Sequence, residues 1–319
     1  MTAHTLIEAR DLYRYFGGLC AVQAVSLTLC RGEVLGFLGP NGAGKTTTMQ
    51  MLCGTLAPSA GDIRINGLDL VAEPKKAKAH LGYLPEHPPL YHELTVDEFL
   101  LYCARIHRVP RPGLGQALLR TKRRSGLEGV GGRLIGNLSK GYRQRVGIAQ
   151  AILHSPAVVV LDEPTIGLDP IQIREIRDLI GELRAEHGVI LSTHILPEVQ
   201  AVCDRVLIIH EGRVVLDDTV EHLTREHHLA GLRIALRRPP GIAYLHAIPG
   251  VAEVRRIGDE RFLIRSLPDR DPTEALVELA AEGRWGLYEM VPEACSLEET
   301  FVQITCGEGP APAAREAAS

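Results

Sequence analysis

Residues 33–54 read EVLGFLGPNGAGKTTTMQMLCG, and two changes of character within them decide the fold. Residues 33–39 are an apolar run of the kind that forms a buried strand. Gly39-Pro40-Asn41-Gly42-Ala43-Gly44-Lys45-Thr46 then fits G-x-x-x-x-G-K-[ST] and opens onto a helical stretch. Strand, glycine loop, helix is the context that this motif requires. The glycines let backbone N–H groups converge on phosphate oxygens, and the helix start adds its dipole. Lys45 is expected to reach the β and γ phosphates and Thr46 to ligate Mg²⁺, with Gly39, Asn41, Gly42, Gly44 and Thr47 completing the cradle. The bland alternative, a glycine turn carrying an exposed lysine, is disfavoured by the flanking strand and helix.

Working outward, residues 21–29 (AVQAVSLTL) read as another strand, and residues 157–164 (AVVVLDEP) as a β-branched run ending in two carboxylates. A helical pattern over 170–188 and a buried-type strand, VILST at 189–193, follow. Strands alternating with helices predict an α/β core with a largely parallel sheet. At the strand end Asp162 suits a Mg²⁺ site, and Glu163 suits a base that polarises an attacking water. His194, just past VILST, is placed to approach a γ phosphate, although a lone histidine there is more often structural. Residues 138–150, LSKGYRQRVGIAQ, are small, basic and glycine-punctuated before a helix, which is half of an anion site.

Between about residues 86 and 137 strand signals stop and helical periodicity takes over, predicting a helical insertion. After residue 218 the order β-α-β-β-α-β suggests a small α+β, ferredoxin-like domain over 219–306. Asp271, Pro272 and Glu274 mark one helix start there and Gly283 its end, while Ser296 and Glu299 make a further capping box. The tail, 307–319, lacks the apolar residues to order itself.

Composition narrows the function classes. A net charge of −4 gives no general electrostatic case for nucleic-acid binding, so none is expected, and the run Lys122-Arg123-Arg124 reads as a solvated helix face. Seven cysteines lie without C-x-x-C or Cys/His zinc spacing, which predicts reduced thiols in a cytosolic protein. The cluster His222, Glu226, His227 and His228 is read as a solvated face rather than a metal site. No window has the apolar length of a membrane span, and the first residues lack a signal-peptide h-region, so any membrane role is expected to run through a partner.

The order of these motifs resembles the nucleotide-binding subunit of the ABC transporter family over about the first 218 residues. The resemblance implies a P-loop NTPase fold of the ABC ATPase type, with ATP and Mg²⁺ as cofactors. It assigns residues 39–47 to the P-loop and 138–144 to the signature, with Ser139, Lys140, Gly141 and Tyr142 acting on a partner's nucleotide. It further assigns Asp162 and Glu163 to the second phosphate motif and catalytic base, Asp169 to the D-loop, and His194 to the switch histidine. Phe16 falls where the family stacks an aromatic ring on adenine, with Tyr15 as the alternative and ordinary core packing as the competing reading for both.

Two positions depart from the family pattern. The signature usually reads L-S-G-G-Q, whereas Lys140 and Tyr142 stand here beside the retained Ser139 and Gly141. Glu86, in the loop GYLPEHPPLY, occupies a position usually held by a glutamine; it can still ligate Mg²⁺, alongside Thr46 and Asp162, but adds negative charge and lacks the amide donor. The E-H-P-P-L-Y loop, the signature and the trailing S-L-E-E-x-F resemble the ABC-2 exporter branch, the gliding-motility and drug-resistance ATPases. That branch implies a homodimer, docked through its helical insertion on an integral-membrane permease, cytoplasmic and peripheral on the inner face of the cytoplasmic membrane. The C-terminal domain is expected to stabilise the dimer, with regulatory sensing as the alternative. A soluble ABC-type ATPase acting on ribosome or DNA is the competing function, disfavoured by the single uninterrupted cassette. A GTP switch would need N-K-x-D, which the sequence lacks.

Overall fold

Strands that must be covered on both faces carry no polar alternation, and three such strands build the centre of this protein. In chain order the first strands are β1 (Thr5–Phe16), β2 (Leu19–Cys30), β3 (Val34–Leu38), β4 (Ala60–Ile65), β5 (Leu68–Asp69) and β6 (Leu81–Leu84). They are followed by β7 (Val158–Asp162), β8 (Gly188–Thr193), β9 (Arg205–His210) and β10 (Arg213–Thr219). Every residue of β3, β7 and β8 is buried, as parallel strands between helices require. They sit inside a six-stranded sheet of order β10-β9-β3-β8-β7-β6, parallel except for the β9–β10 hairpin. A separate antiparallel sheet, β2-β1-β4-β5, packs its apolar face on the core cluster that includes Leu12, Val25, Leu29, Phe37 and Met49.

The computed structural model describes residues 4–223, 231–267 and 270–292. The chain divides into two compact units, Met1–Val220 and Glu221–Ser319. In the first, the helices in chain order are α1 (Lys45–Leu52), α2 (Pro74–Lys78), α3 (Val96–Ile106), α4 (Arg111–Arg124), α5 (Lys140–Ile152), α6 (Pro170–Leu183) and α7 (Leu196–Val202). The helical stretch expected between about 86 and 137 contains α3 and α4 and has its own apolar cluster. That cluster does not stop at residue 137: Val146, Ala149 and Leu153, on and just after α5, pack with Phe99, Leu100 and Leu127. One side of α5 thus serves the helical region while its end lies against β6, where a Cβ on Gly82 would overlap the Ala151 carbonyl.

The start of α3 is fixed by a capping box: Thr95 Oγ1 accepts from the Glu98 N–H at 3.2 Å, and Glu98 Oε2 accepts from the Thr95 N–H at 2.8 Å. The basic run on α4 is a correction to the sequence reading. Lys122, Arg123 and Arg124 pair with Asp97, Glu128 and Glu186, and the Lys122 and Arg124 side chains are only 19% and 17% exposed, so they tie the helix down rather than merely solvate it.

The second unit holds β11 (Leu232–Leu236), β12 (Val251–Arg256), β13 (Arg261–Ser266) and β14 (Leu287–Pro292) in an antiparallel sheet of order β12-β13-β11-β14. Helices Ile242–His246 and Thr273–Glu282 complete the element order β-α-β-β-α-β, around a core of Ile234, Leu245, Phe262, Ile264, Leu276 and Trp285. Asp271 Oδ1 accepts from the Thr273 N–H at 2.9 Å at the second helix start, and Gly283 follows its end. Ser296, Glu299, Glu226, His227, His228 and the tail 307–319 lie outside the described residues. Among the described residues no three His, Cys, Asp or Glu side chains converge as a metal cluster, and no helix is long and apolar enough to cross a membrane. Cys20, Cys30, Cys53, Cys103 and Cys203 are free thiols, and burial pushes that of Cys103 up to about 11.

Candidate functional site

The glycine loop leaves β3 and enters α1 at Lys45, in a conformation only glycine tolerates at two points. Gly44 has φ +103°, and a Cβ there would sit 2.7 Å from the Ala21 carbonyl oxygen; one at Gly39 would sit 2.5 Å from the Ile209 carbonyl oxygen. The loop is thereby clamped between β2 and β9. It borders a cavity of about 360 Å³ lined by Asn41, Gly42, Gly44, Lys45, Thr46 and Thr47, together with Glu86, Glu163 and His194. Lys45 is buried, its Nζ donating to the Gly39 and Pro40 carbonyls at 2.8 and 3.3 Å and lying 3.7 Å from Glu163 Oε1. Those carbonyls hold the ammonium where phosphate oxygens would take over.

The parallel order places β3, β8 and β7 side by side, so their carboxyl ends bring together residues far apart in sequence. Glu163 follows β7 with φ +48°, a left-handed backbone that costs a non-glycine residue about 1–2 kcal/mol. Its N–H donates to the Ser192 carbonyl at 2.9 Å, which anchors that turn on β8. His194 Nδ1 lies 3.0 Å from both Glu163 carboxylate oxygens. An ionised carboxylate only accepts, so Nδ1 carries the hydrogen shared between its two oxygens.

Two residues that sequence reading did not single out set this geometry. Thr193 Oγ1 donates to Glu198 Oε2 at 3.0 Å and accepts from the Ile195 N–H at 3.1 Å, fixing the turn that carries His194. The sequence carries only a weak signal of them, a single acidic residue, Glu198, in the largely apolar stretch 195–202.

Asp162, the last residue of β7, is fully buried, and neither carboxylate oxygen makes a hydrogen bond of good geometry. Burial pushes its carboxyl above the ordinary range, the nearby Ser192 and Thr46 hydroxyls pull against that, and the charges of Glu163 and Glu86 add to the rise. A buried carboxylate with unfilled acceptors, beside Thr46 and within the field of Glu86, suits a divalent cation. Mg²⁺ takes few protein ligands beside substrate phosphates, so a compact protein-only metal cluster is not required.

The signature residues do not line this cavity. Lys140 lies in a neighbouring cleft that shares Glu86 and Ile166 with it. Ser139 is the N-cap of α5, its Oγ accepting from the Tyr142 N–H at a long 3.4 Å, and Gly141 stands in the first turn. Lys140 reaches over Gly167 of the same chain, and a Cβ on Gly141 would sit 2.6 Å from the Gln172 side chain. Asp169 caps α6, accepting from the Gln172 N–H at 2.9 Å, so α6 carries the side chain that covers Gly141. Tyr142 is exposed. Tyr15 and Phe16, at the end of β1, are 47% and 48% exposed, which excludes core packing for either, and neither lines the cavity. The Arg14 guanidinium lies 4.7 Å from the Phe16 ring centre.

Known proteins share this sequence and fold. A family described as "ABC transporter" matches residues 22–166. The bacitracin transport ATP-binding protein BcrA of Bacillus licheniformis is 38% identical over 225 residues, covering 70% of this chain and 72% of that protein. The uncharacterized ABC transporter ATP-binding protein YhcH of Bacillus subtilis is 39% identical over 313 residues, covering 94% and 96%, so that likeness extends into the second unit. A solved structure described as the ATP binding subunit of an ABC transporter superposes with a TM-score of 0.64 at 34% identity, over 69% of this chain and 92% of that one.

Proposed function

The chain belongs to the ATP-binding proteins of ABC transporters, and from that premise we propose that it dimerises head to tail on ATP to drive export by a separate membrane permease. It is an ATPase of the P-loop fold. The observation that carries the mechanism is the meeting of Lys45, Glu163 and His194 at one cavity, with Asp162 buried at the adjoining strand end.

Lys45 exchanges two backbone carbonyls for the β and γ phosphates, and the N–H groups of the loop and the first turn of α1 surround them. Thr46 and Asp162, with Glu86, are the residues to hold Mg²⁺, which when bound neutralises charge on the β and γ phosphates. Glu163 takes the proton of the attacking water. His194, oriented by Glu163, presents its other nitrogen toward the γ position. Phe16, or Tyr15 beside it, supplies an exposed ring for the adenine.

Ser139, Lys140, Gly141 and Tyr142 act in trans on the partner's nucleotide, and Asp169 belongs to the same contact. Closing therefore requires Lys140 and Gln172 to leave Gly167 and Gly141, which each covers within its own chain. We assign residues 1–218 to the nucleotide-binding domain and 219–306 to a ferredoxin-like accessory domain, a reading supported by the strand order of the second unit. The ABC-2 exporter branch and a place on the inner face of the cytoplasmic membrane complete the proposal; the bacitracin-transport relative supports the branch.

The test is recovery of partners from detergent-solubilised membranes by Glu163→Gln protein with ATP, a change that should trap the closed dimer. A multi-span membrane protein is the expected partner. Recovery of ribosomes or DNA, or of nothing, would overturn the permease reading.

A further inference from the structure

A second cavity, of about 460 Å³, opens where the parallel strands begin rather than where they end. Arg31 precedes β3, His80 precedes β6, Pro156 precedes β7 and His187 precedes β8, and all line it. Arg120 of α4 and Asn66 of the turn between β4 and β5 close it from the sides. The nucleotide cradle stands at the opposite ends of β3, β7 and β8, about one strand length or roughly 17–20 Å away, and shares no lining residue with this cavity.

Its charge is unbalanced. Arg31 and Arg120 face a single lining carboxylate, Glu186, which already pairs with Arg124 at 3.0 Å and is held below the ordinary carboxylate range chiefly by that hydrogen bond. The Arg31 guanidinium has no hydrogen bond or ion pair among the described residues, and that of Arg120 donates only to Ser155 Oγ. Two guanidinium forks with unused N–H groups on one concave wall suit the paired oxygens of a phosphate better than a point charge would.

Imidazoles add directional contacts. His187 is buried with Nδ1 2.6 Å from the Pro156 carbonyl, so Nδ1 donates there, while Nε2 lies 3.9 Å from Glu186 Oε2; burial lowers the pKa of the ring, against the pull of the Pro156 carbonyl and Glu186. His4 Nε2 lies 3.1 Å from Asn66 Oδ1, and Asn66 Nδ2 lies 3.5 Å from His80 Nδ1, an orientation that leaves the His80 Nε2–H to donate. Leu6, Pro156 and Ala157 supply apolar surface between these groups. The volume falls within the range of small-ligand sites and exceeds what inorganic phosphate fills.

We propose that this cavity is a second ligand site, which binds the phosphate monoester of a small polar molecule through Arg31 and Arg120, with His80 and His187 reading its hydroxyl groups. The shared chemistry is a phosphate monoester, whether free or on a lipid headgroup.

The full chain, with its nucleotide cradle saturated by a non-hydrolysable ATP analogue, is titrated calorimetrically with ribose 5-phosphate and separately with vesicles containing phosphatidylinositol 4-phosphate. Saturable binding of one probe is expected, and which one identifies a free or lipid-borne source. Arg31→Gln, at an exposed side chain without a partner, should weaken that binding about tenfold or more while leaving affinity for the ATP analogue unchanged. Arg31→Gln combined with Arg120→Gln should weaken it further. Binding of neither probe, or equal binding by wild type and both variants, would overturn the proposal.

Discussion

Asp162, buried with neither carboxylate oxygen well hydrogen-bonded, costs folding stability whenever it is ionised. Its folded pKa lies above the unfolded one, so the cost is absent below the ordinary carboxylate range and grows as pH rises through the raised value. Asp162→Asn should therefore raise the nucleotide-free Tm at pH 8, the gain vanishing on acidification below about pH 4. The same variant should lose the further rise in Tm that wild type gains from ATP with Mg²⁺, both read by differential scanning calorimetry. Glu163 faces Lys45 and His194 at once, and Glu163→Gln keeps the shape but removes the base. The expected loss is about 10²–10⁴-fold in kcat with ATP affinity retained, measured by phosphate release and by equilibrium binding. Loss of affinity equal to the loss of turnover would instead make Glu163 a structural support for Lys45.

Helix α5 starts at Ser139 and ends against β6, so one element links the signature to the sheet. Gly82 permits that approach, because a Cβ there would overlap the Ala151 carbonyl. Gly82→Ala should cost about 1–3 kcal/mol by pushing the helix off the strand, seen as a lower denaturation midpoint. A midpoint equal to wild type would mean that α5 shifts freely. At the start of α3, Thr95→Ala removes one half of a reciprocal cap and should cost about 1 kcal/mol in the same measurement.

At the scale of the whole molecule, Ser139 and Gly141 do not line the cavity that holds Lys45, and the proposed dimer accounts for that separation. In a head-to-tail dimer each site takes Lys45 from one subunit and Ser139 from the other. Mixing Lys45→Ala with Ser139→Ala protein, each inactive alone, should then restore hydrolysis, since every mixed dimer contains one intact site. Steady-state ATPase assays of the mixture decide it: no restoration would mean that each subunit uses its own signature.

The cradle was legible in the sequence because its function is local. Eight consecutive residues, Gly39 to Thr46, contain the glycines, lysine and hydroxyl that a phosphate needs, and the flanking apolar run and helix are contiguous with them. The alternation of strands and helices likewise announced a parallel sheet. Other strands stayed hidden for particular reasons. In β1 the period-two pattern is broken by register shifts and by Asp11 at φ +47°, and β6 has only four residues. What only the tertiary structure decided is who meets whom. The strand order sets Glu163 between Lys45 and His194, leaves Asp162 buried with neither oxygen well hydrogen-bonded, and lays Gln172 over Gly141. The same order collects Arg31, His80, Arg120 and His187, from four separate segments, around a second cavity. No spacing rule links such residues, because sheet order, not distance along the chain, determines which strand ends are neighbours.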